Sequence, residues 1–149
     1  LAKNQSNIQV DGIELDYLLD KKINLTNSIK IKSGFILIHT ENKNGPLSFY
    51  LSSAPKFLAN FTTTFSTKQI DFNLTGLYKS RNGQTANPIL LPVSNDYFVV
   101  NSKIYFRFTK VKHIVFVQAD NLFNSTINDF IGSPLPGRWL QVGARFIFN

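Results

Sequence analysis

Residues 113–149 of this chain read HIVFVQADNLF, then NSTINDFIGSPLPG, then RWLQVGARFIFN. Alternate positions of the last segment are apolar: Leu140, Val142, Ala144, Phe146 and Phe148. Between them stand Gln141, Gly143, Arg145 and the exception Ile147. Because successive side chains of a β-strand point to opposite faces, this spacing predicts a strand with one apolar and one largely polar face. Ending such a strand on an aromatic residue is more typical of a strand that faces lipid than of one in a soluble sheet.

Six earlier segments alternate in the same way, which predicts seven antiparallel strands in all. The six segments cover residues 7–17, 23–38, 57–65, 70–78, 98–108 and 113–123. In the first segment the alternation of apolar residues changes phase: Ile8 and Val10 stand at even positions, whereas Ile13 and Leu15 stand at odd ones. A bulge at Asp11-Gly12 would explain the change, since glycine tolerates the backbone angles that a bulge needs.

The connections between the predicted strands alternate in length. Short turns are expected near residues 18–22, 66–69 and 109–112, and long loops near 39–55, 79–96 and 124–137. Transmembrane β-barrels alternate short periplasmic turns with longer extracellular loops, and they carry aromatic girdles at both interfaces. Candidates for the two girdles are Phe57, Tyr78, Phe98 and Trp139 near the long loops, and Tyr17, Phe65, Phe72 and Phe108 near the short turns.

The stretches DNLFN at 120–124 and DFIGSPLPGR at 129–138, followed by the terminal strand, resemble the C-terminus of TonB-dependent outer-membrane receptors. The residues that carry the resemblance are Asn121, Leu122, Phe123, Gly132, Pro134, Pro136, Gly137 and Arg138. GIEL at 12–15 is similar to a stretch of the same family. Ile127 departs from the pattern, since the family usually carries Tyr there.

The resemblance implies that residues 1–149 are the C-terminal portion of an all-β barrel of about twenty-two strands, which closes around a plug domain. The plug and the earlier strands are absent from this chain, so we expect it to be part of a longer receptor. The implied location is the bacterial outer membrane. The implied partners are membrane lipid, the remaining barrel strands, the plug, the TonB complex acting through the plug, and a small solute. The implied function is active import of an iron–siderophore, cobalamin or a similar solute.

Three groups of residues follow as candidate sites. The apolar positions of the terminal strand, Leu140, Val142, Ala144, Phe146 and Phe148, are expected to form the assembly signal of the barrel, with plain packing as the alternative. The long loop after residue 79 offers hydrogen-bond donors to a ligand from Arg81, Asn82, Gln84 and Asn87, with a merely hydrated loop as the alternative. The side chains expected to face the lumen are Glu14, Lys30, Lys32, Lys103, Arg107 and Arg145; pairing with neighbouring or plug carboxylates is the alternative role for the cations.

Other classes of function find little support in the sequence. The chain has no cysteine, and its two histidines, His39 and His113, are isolated, so neither a thiolate nor a histidine metal site is predicted. No phosphate-binding loop or nucleophile elbow is present, so we predict neither an enzyme nor a cofactor. The formal charge of +7 is scattered, which does not favour nucleic acid as a partner. A water-soluble β-sandwich binding module and a small adhesin-like barrel remain alternatives.

Overall fold

The computed structural model describes residues 7–45, 54–81, 93–108, 113–130 and 133–146. Seven strands are β1 (Ile8–Lys22), β2 (Ser28–Asn42), β3 (Pro55–Ser66), β4 (Ile70–Arg81), β5 (Asp96–Phe108), β6 (His113–Asp120) and β9 (Trp139–Arg145). Two very short strands, β7 (Asn128–Phe130) and β8 (Ser133–Pro134), lie between β6 and β9. Within these ranges no helix is long and apolar enough to cross a membrane.

The seven longer strands form one antiparallel sheet in the order β1-β2-β3-β4-β5-β6-β9. Each strand pairs with its neighbour along the chain, apart from the β7–β8 ribbon between β6 and β9. This confirms the prediction of an all-β chain with a sheet of seven antiparallel strands. The order is open, so β1 and β9 are the two edges of the sheet.

The register brings the apolar positions of all seven strands onto one face, which we call the apolar face. One cross-strand row on it contains Leu15, Phe35, Ala59, Tyr78 and Phe98. A second row contains Phe65, Phe72, Ile104, Val117 and Val142. The opposite face, here called the polar face, carries rows such as Lys30, Thr64, Asn73, Lys103 and Gln118.

No second layer of described residues covers the apolar face. Ile13 is 72% exposed and Val142 is 76% exposed, although both are central to the apolar pattern of their strands. Buried apolar side chains among the described residues are confined to Val100, Ala119 and Ile127. An antiparallel sheet in water normally packs its apolar face on a core. This face therefore needs an apolar environment supplied from outside the described residues.

The first turn lies five residues later than the sequence pattern predicts. Residues 23–27 connect β1 to β2, so Ile23 and Leu25, which were expected in the second strand, belong to the turn. The Asn24 Oδ1 atom accepts hydrogen bonds from the amides of Thr26 and Asn27, at 3.0 and 2.8 Å. An asparagine side chain that mimics a backbone turn in this way outweighs the apolar alternation of Ile23 and Leu25.

The predicted bulge at Asp11-Gly12 is wrong. Pairing between β1 and β2 is continuous, with Asp11 opposite His39 and Gly12 opposite Ile38. Ile8 and Val10 consequently lie on the polar face near the open edge of the sheet. The register shift instead lies between Pro55 and Phe57 in β3, where proline has no N–H to donate to the ladder.

Two of the expected girdle residues lie elsewhere. Trp139 has the parity of the polar face and pairs with Asp120, and Tyr17 pairs with Ser33 well inside the β1–β2 ladder. Phe123 packs against Phe98 near the long loops, with ring centroids 6.5 Å apart. The strand parity shows which face Trp139 takes, whereas the position of Phe123 depends on the fold of the loop that follows β6.

Candidate functional site

All six charged residues that were predicted to share a face lie on the polar face. They are Glu14 in β1, Lys30 and Lys32 in β2, Lys103 and Arg107 in β5, and Arg145 in β9. Residues two apart in a strand point to the same side of the sheet, and the antiparallel register aligns these sides across the strands, so all six side chains share one face.

Three of these charges are engaged: the Lys30 ammonium lies 3.5 Å from the Asp20 carboxylate, and Arg107 and Lys103 make the contacts that follow. The Arg107 guanidinium donates to both carboxylate oxygens of Asp71, and it also donates to the Thr67 carbonyl oxygen at 2.6 Å. The Lys103 ammonium lies 4.3 Å from the ring centroid of Phe116 and 4.9 Å from that of Tyr105. Arg107 thus has the neighbouring carboxylate that the alternative role required, and Lys103 is held over aromatic rings.

Hydroxyl and amide groups on the central strands of the polar face form hydrogen-bonded pairs, in the same cross-strand rows as Lys30, Lys32 and Lys103. The Asn73 amide donates to the Thr64 hydroxyl at 2.9 Å, and the Asn101 amide reaches the Thr75 hydroxyl at 3.5 Å. Such groups can hydrogen-bond water or a hydroxyl-rich solute.

A cluster of charges stands at the long-loop end of the same face. Arg81 is the last residue of β4, and its side chain is fully buried. It pairs with the Asp129 carboxylate and donates to the Asp129 carbonyl oxygen at 2.8 Å, while the Lys79 ammonium lies 2.9 Å from the carboxylate. Arg81 was expected in the loop as a donor to a ligand; the structure places it in a strand, with its terminal nitrogens already bonded to Asp129.

The cluster controls the protonation of Asp129. Burial by itself raises the pKa of the Asp129 carboxyl, but the hydrogen bonds from Lys79 and Arg81 outweigh burial and hold that pKa below its usual 3.8. Asp129 is therefore ionised at neutral pH. It ties the segment between β6 and β9 to the end of β4.

We call residues 121–138 the closing loop, and Asn121 is its central residue. Asn121 is 5% exposed and has a φ of 49°, a backbone conformation that asparagine tolerates better than most residues. Its side chain donates to the carbonyl oxygens of Ser125 and Pro136 and accepts from the Ser125 amide. Its own amide donates to the Asn101 side chain at 2.9 Å. The Asn121 side chain thus joins the two ends of the loop, and its backbone amide joins the loop to β5.

Other residues of the family-like motif lock the same loop. The Leu122 amide donates to the Val100 carbonyl oxygen at 2.8 Å. The Asn124 side chain accepts from the Arg138 amide at 2.8 Å, and a side chain at Gly137 would come within 3.0 Å of that Asn124 oxygen. Pro134 lies in β8, and Gly132 lies outside the described residues. The motif therefore encodes a hydrogen-bonded loop closure, a role that its residue types alone did not reveal.

Ile127, the departure from the family pattern, is a buried residue of the closing loop. It is 1% exposed, and its carbonyl oxygen accepts from the Leu135 amide at 2.8 Å. An apolar side chain here adds hydrophobic burial to a loop that is otherwise held by polar contacts.

The closing loop and the polar face border an open cavity of about 320 Å³. We call it the closing-loop cavity, and its lining includes Asn101, Asp120, Trp139, Gln141, Ile127 and Leu135. A smaller cavity of about 160 Å³ adjoins it and shares Asn101 and Asp120. None of Asp120, Trp139 and Gln141 was predicted to line a site. Trp139 could have been found from the sequence, because it alternates with the apolar residues of its strand and is therefore a large aromatic residue on the polar face.

The terminal strand presents Leu140, Val142 and Ala144 on the apolar face, and Phe146 continues the same parity and is exposed. Phe148 and the loop residues Asn82, Gln84 and Asn87 lie outside the described residues. Among the residues that are described, no group of three or more His, Cys, Asp or Glu side chains could hold a metal ion.

Comparison with protein-family models, with curated proteins and with solved structures finds no match to this chain.

Proposed function

We propose that this chain is the C-terminal wall of a large outer-membrane β-barrel of the TonB-dependent receptor type. The observation that carries the proposal is the apolar face, which runs across seven strands and is not covered by any other described part of the chain. A lipid bilayer covers such a face without a second protein layer. The alternation of short turns with long loops and the resemblance of residues 120–138 to this receptor family support the same proposal.

The two open edges of the sheet support the proposal that these strands belong to a larger barrel. An unpaired strand edge leaves backbone N–H and C=O groups without partners, which a bilayer does not tolerate. β1 and β9 would be paired by the remaining strands of a barrel of about twenty-two strands. A β-sandwich is less well supported, because it would cover the apolar face with a second sheet.

In this proposal the parent protein imports an iron–siderophore, cobalamin or a similar solute, and the TonB complex supplies the energy through the plug. The polar face would line the lumen. The closing loop would hold the extracellular ends of β4, β5, β6 and β9 together.

The position of lipid can be tested with single thiols, since the chain has no cysteine of its own. Fluorescent labels would be attached to the full-length protein in bilayers at positions of the apolar face, Phe106→Cys, Val117→Cys and Val142→Cys, and of the polar face, Lys103→Cys, Gln118→Cys and Gln141→Cys. A lipid-soluble quencher should reach the first set and not the second. Quenching of neither set would mean that protein covers the apolar face, and the barrel proposal would fall.

Transport needs a separate measurement. A Gram-negative strain that depends on the full-length protein should accumulate radiolabelled cobalamin or ferric siderophore, and removal of TonB should abolish the accumulation. Uptake that is unchanged without TonB would contradict energised import, even if the labelling experiment supports the barrel.

A further inference from the structure

The hairpin of β1 and β2 extends beyond β3 at the long-loop end of the sheet. Both of its strands are 15 residues long, whereas a strand of a transmembrane barrel crosses the hydrocarbon in about 9–11 residues. Pairing of β2 with β3 ends at Leu37 and Phe57, while pairing of β2 with β1 continues to Asn42 and Ile8. We call residues 8–12 and 38–42 the hairpin extension. The hairpin is therefore longer than a crossing of the bilayer requires.

The two sides of the hairpin extension are the reverse of those found lower in the same strands. Beyond the pair of Ile13 and Leu37, the positions that continue the apolar face carry exposed polar side chains: Gln9, Asp11, His39 and Glu41. The apolar side chains of the extension lie on the opposite face, with the parity of the polar face: Ile8, Val10 and Ile38. The change of phase at Asp11-Gly12 is thus a reversal of the two faces within an unbroken ladder.

The same change from apolar to polar occurs on β4 and β5. Ser80 pairs with Asp96 in the cross-strand row that contains Leu37 and Phe57, and the preceding row contains Tyr78 and Phe98. Aromatic rings lie next to the change, and those of Phe57 and Tyr78 are 6.0 Å apart. Aromatic side chains concentrate where a barrel wall leaves the hydrocarbon.

The chemistry of the hairpin extension disfavours lipid on its outward side. Hydrocarbon solvates carboxylates poorly, so Asp11 and Glu41 favour water at their level of the wall. The backbone gives a second reason. β3 no longer flanks β2 beyond Leu37, and backbone groups without a neighbouring strand are tolerated in water but not in hydrocarbon.

We propose that the hydrocarbon of the outer membrane ends between Leu37 and His39 in β2 and between Phe98 and Asp96 in β5. Because barrel strands are tilted, a level border need not follow a single cross-strand row. The hairpin extension then stands outside the hydrocarbon, with its polar outward side against water and lipid headgroups. The inference rests on the proposed function, since it places the edge of the lipid that the apolar face is proposed to contact.

The border can be tested with single labelled thiols in the full-length protein in bilayers. The positions on the outward side of β2 are Phe35→Cys, Leu37→Cys, His39→Cys and Glu41→Cys. Residues 35 and 41 are separated by roughly 20 Å along the strand, which is roughly 14 Å of depth at a tilt of about 45°. A spin label in the middle of the lipid acyl chain should quench fluorescence at 35 and lose this effect at 41. Iodide in the water should quench in the opposite order.

Ile38→Cys is the matched control for the β2 series. Ile38 is apolar and adjoins Leu37 and His39, but it has the parity of the polar face. The lipid spin label should not reach a label at this position, which separates the effect of the face from that of the residue type. In β5, labels at Phe98→Cys and Asp96→Cys should repeat the contrast between positions 35 and 41.

Two results would overturn the inference. Lipid quenching as strong at 41 as at 35 would mean that hydrocarbon covers the hairpin extension, and equal access of iodide to both positions would mean that the border lies elsewhere. The barrel proposal would survive either result as long as lipid quenches the labels at Phe106, Val117 and Val142. Failure of the border is therefore distinguishable from failure of the barrel.

Discussion

On the apolar face, β3 and β4 meet through pairs such as Phe65 and Phe72, whereas on the polar face the same strands are joined by the Asn73–Thr64 hydrogen bond. The side-chain hydrogen bonds and ion pairs that connect the central strands and the closing loop, such as Asp71–Arg107 and Arg81–Asp129, lie on the polar side. Many polar groups of the polar face thus hydrogen-bond to one another, and water or solute can cover that face. The contacts across the central strands of the apolar face are mainly hydrophobic and aromatic, so the free energy of that face depends on what surrounds it.

The largest expected difference between the faces concerns a charge at mid-strand. Ile104 lies on the apolar face between Phe72 and Val117, and Lys103 is its neighbour on the polar face. Ile104→Arg should lower the free energy of unfolding in bilayers by ~2–4 kcal/mol, because lipid does not solvate the guanidinium. Lys103→Ala should cost about 0.5–1 kcal/mol through the lost contact with Phe116. Denaturant titration of both variants gives the comparison, and equal costs would contradict the assignment of the faces.

The second prediction concerns the closing loop. Asn121→Ala removes three side-chain hydrogen bonds and leaves buried backbone groups unpaired, so it should cost about 2–3 kcal/mol. Asn121→Gly is the informative partner, because glycine tolerates the φ of 49° and lacks the side chain. It should be less destabilised than Asn121→Ala by about 1 kcal/mol.

The measurement for both Asn121 variants is the rate of protease cleavage in the closing loop, alongside denaturant titration. Cleavage should increase in both, with cleavage in the rest of the chain unchanged. If the loop stayed as resistant as in the unsubstituted protein, Asn121 would not be its anchor.

Two glycines allow the faces to be compared with one matched substitution. A Cβ at Gly76 would lie 2.1 Å from the Phe61 ring on the apolar face, and one at Gly143 would lie 2.4 Å from the Phe116 ring on the polar face. Both rings would have to move. Phe61 can move into lipid, whereas Phe116 would move into water and leave the Lys103 ammonium.

Gly143→Ala should therefore cost about 1–2 kcal/mol, which is more than Gly76→Ala costs. Denaturant titration in bilayers measures both free energies of unfolding. A larger cost at Gly76 would indicate that Phe61 is packed against protein and would argue against lipid on that face.

The smallest expected effect is a pH dependence of the closing loop. Because Lys79 and Arg81 lower the pKa of Asp129 in the folded state, the unfolded state binds the proton more readily. The stabilisation is then fully present above pH 3.8 and is lost as the pH falls through the lower folded-state pKa. Trp139 fluorescence, followed from neutral pH downward in the protein in bilayers, should show this step.

Asp129→Asn should remove the step in Trp139 fluorescence, and Asp96→Asn, an exposed carboxyl at the start of β5, should preserve it. A step that persists in Asp129→Asn would assign the pH dependence to another group.

Strand parity allowed much of the polar face to be predicted. Lys30, Lys32 and Arg107 could be assigned to one face because a two-residue period leaves no other choice once the strands exist. The position of the first turn was less predictable, since Asn24 hydrogen-bonds to the backbone and ends the ladder within an alternating stretch. The bulge at Asp11-Gly12 was inferred from a local change in the phase of the apolar residues. Continuous pairing with β2 outweighs the preference of Ile8 and Val10 for the apolar face.

The sequence by itself determined the strands, their antiparallel order and the two faces, because these follow from local alternation and from the lengths of the connections. Only the tertiary structure decided the roles of Asn121, Arg81 and Trp139. Arg81 and Asp129 are far apart in the chain and meet because the closing loop folds back over β4 and β5. Trp139 borders an open cavity only because that loop lies beside the strand that carries it. Such contacts depend on the path of a loop in three dimensions, which alternation within a strand does not specify.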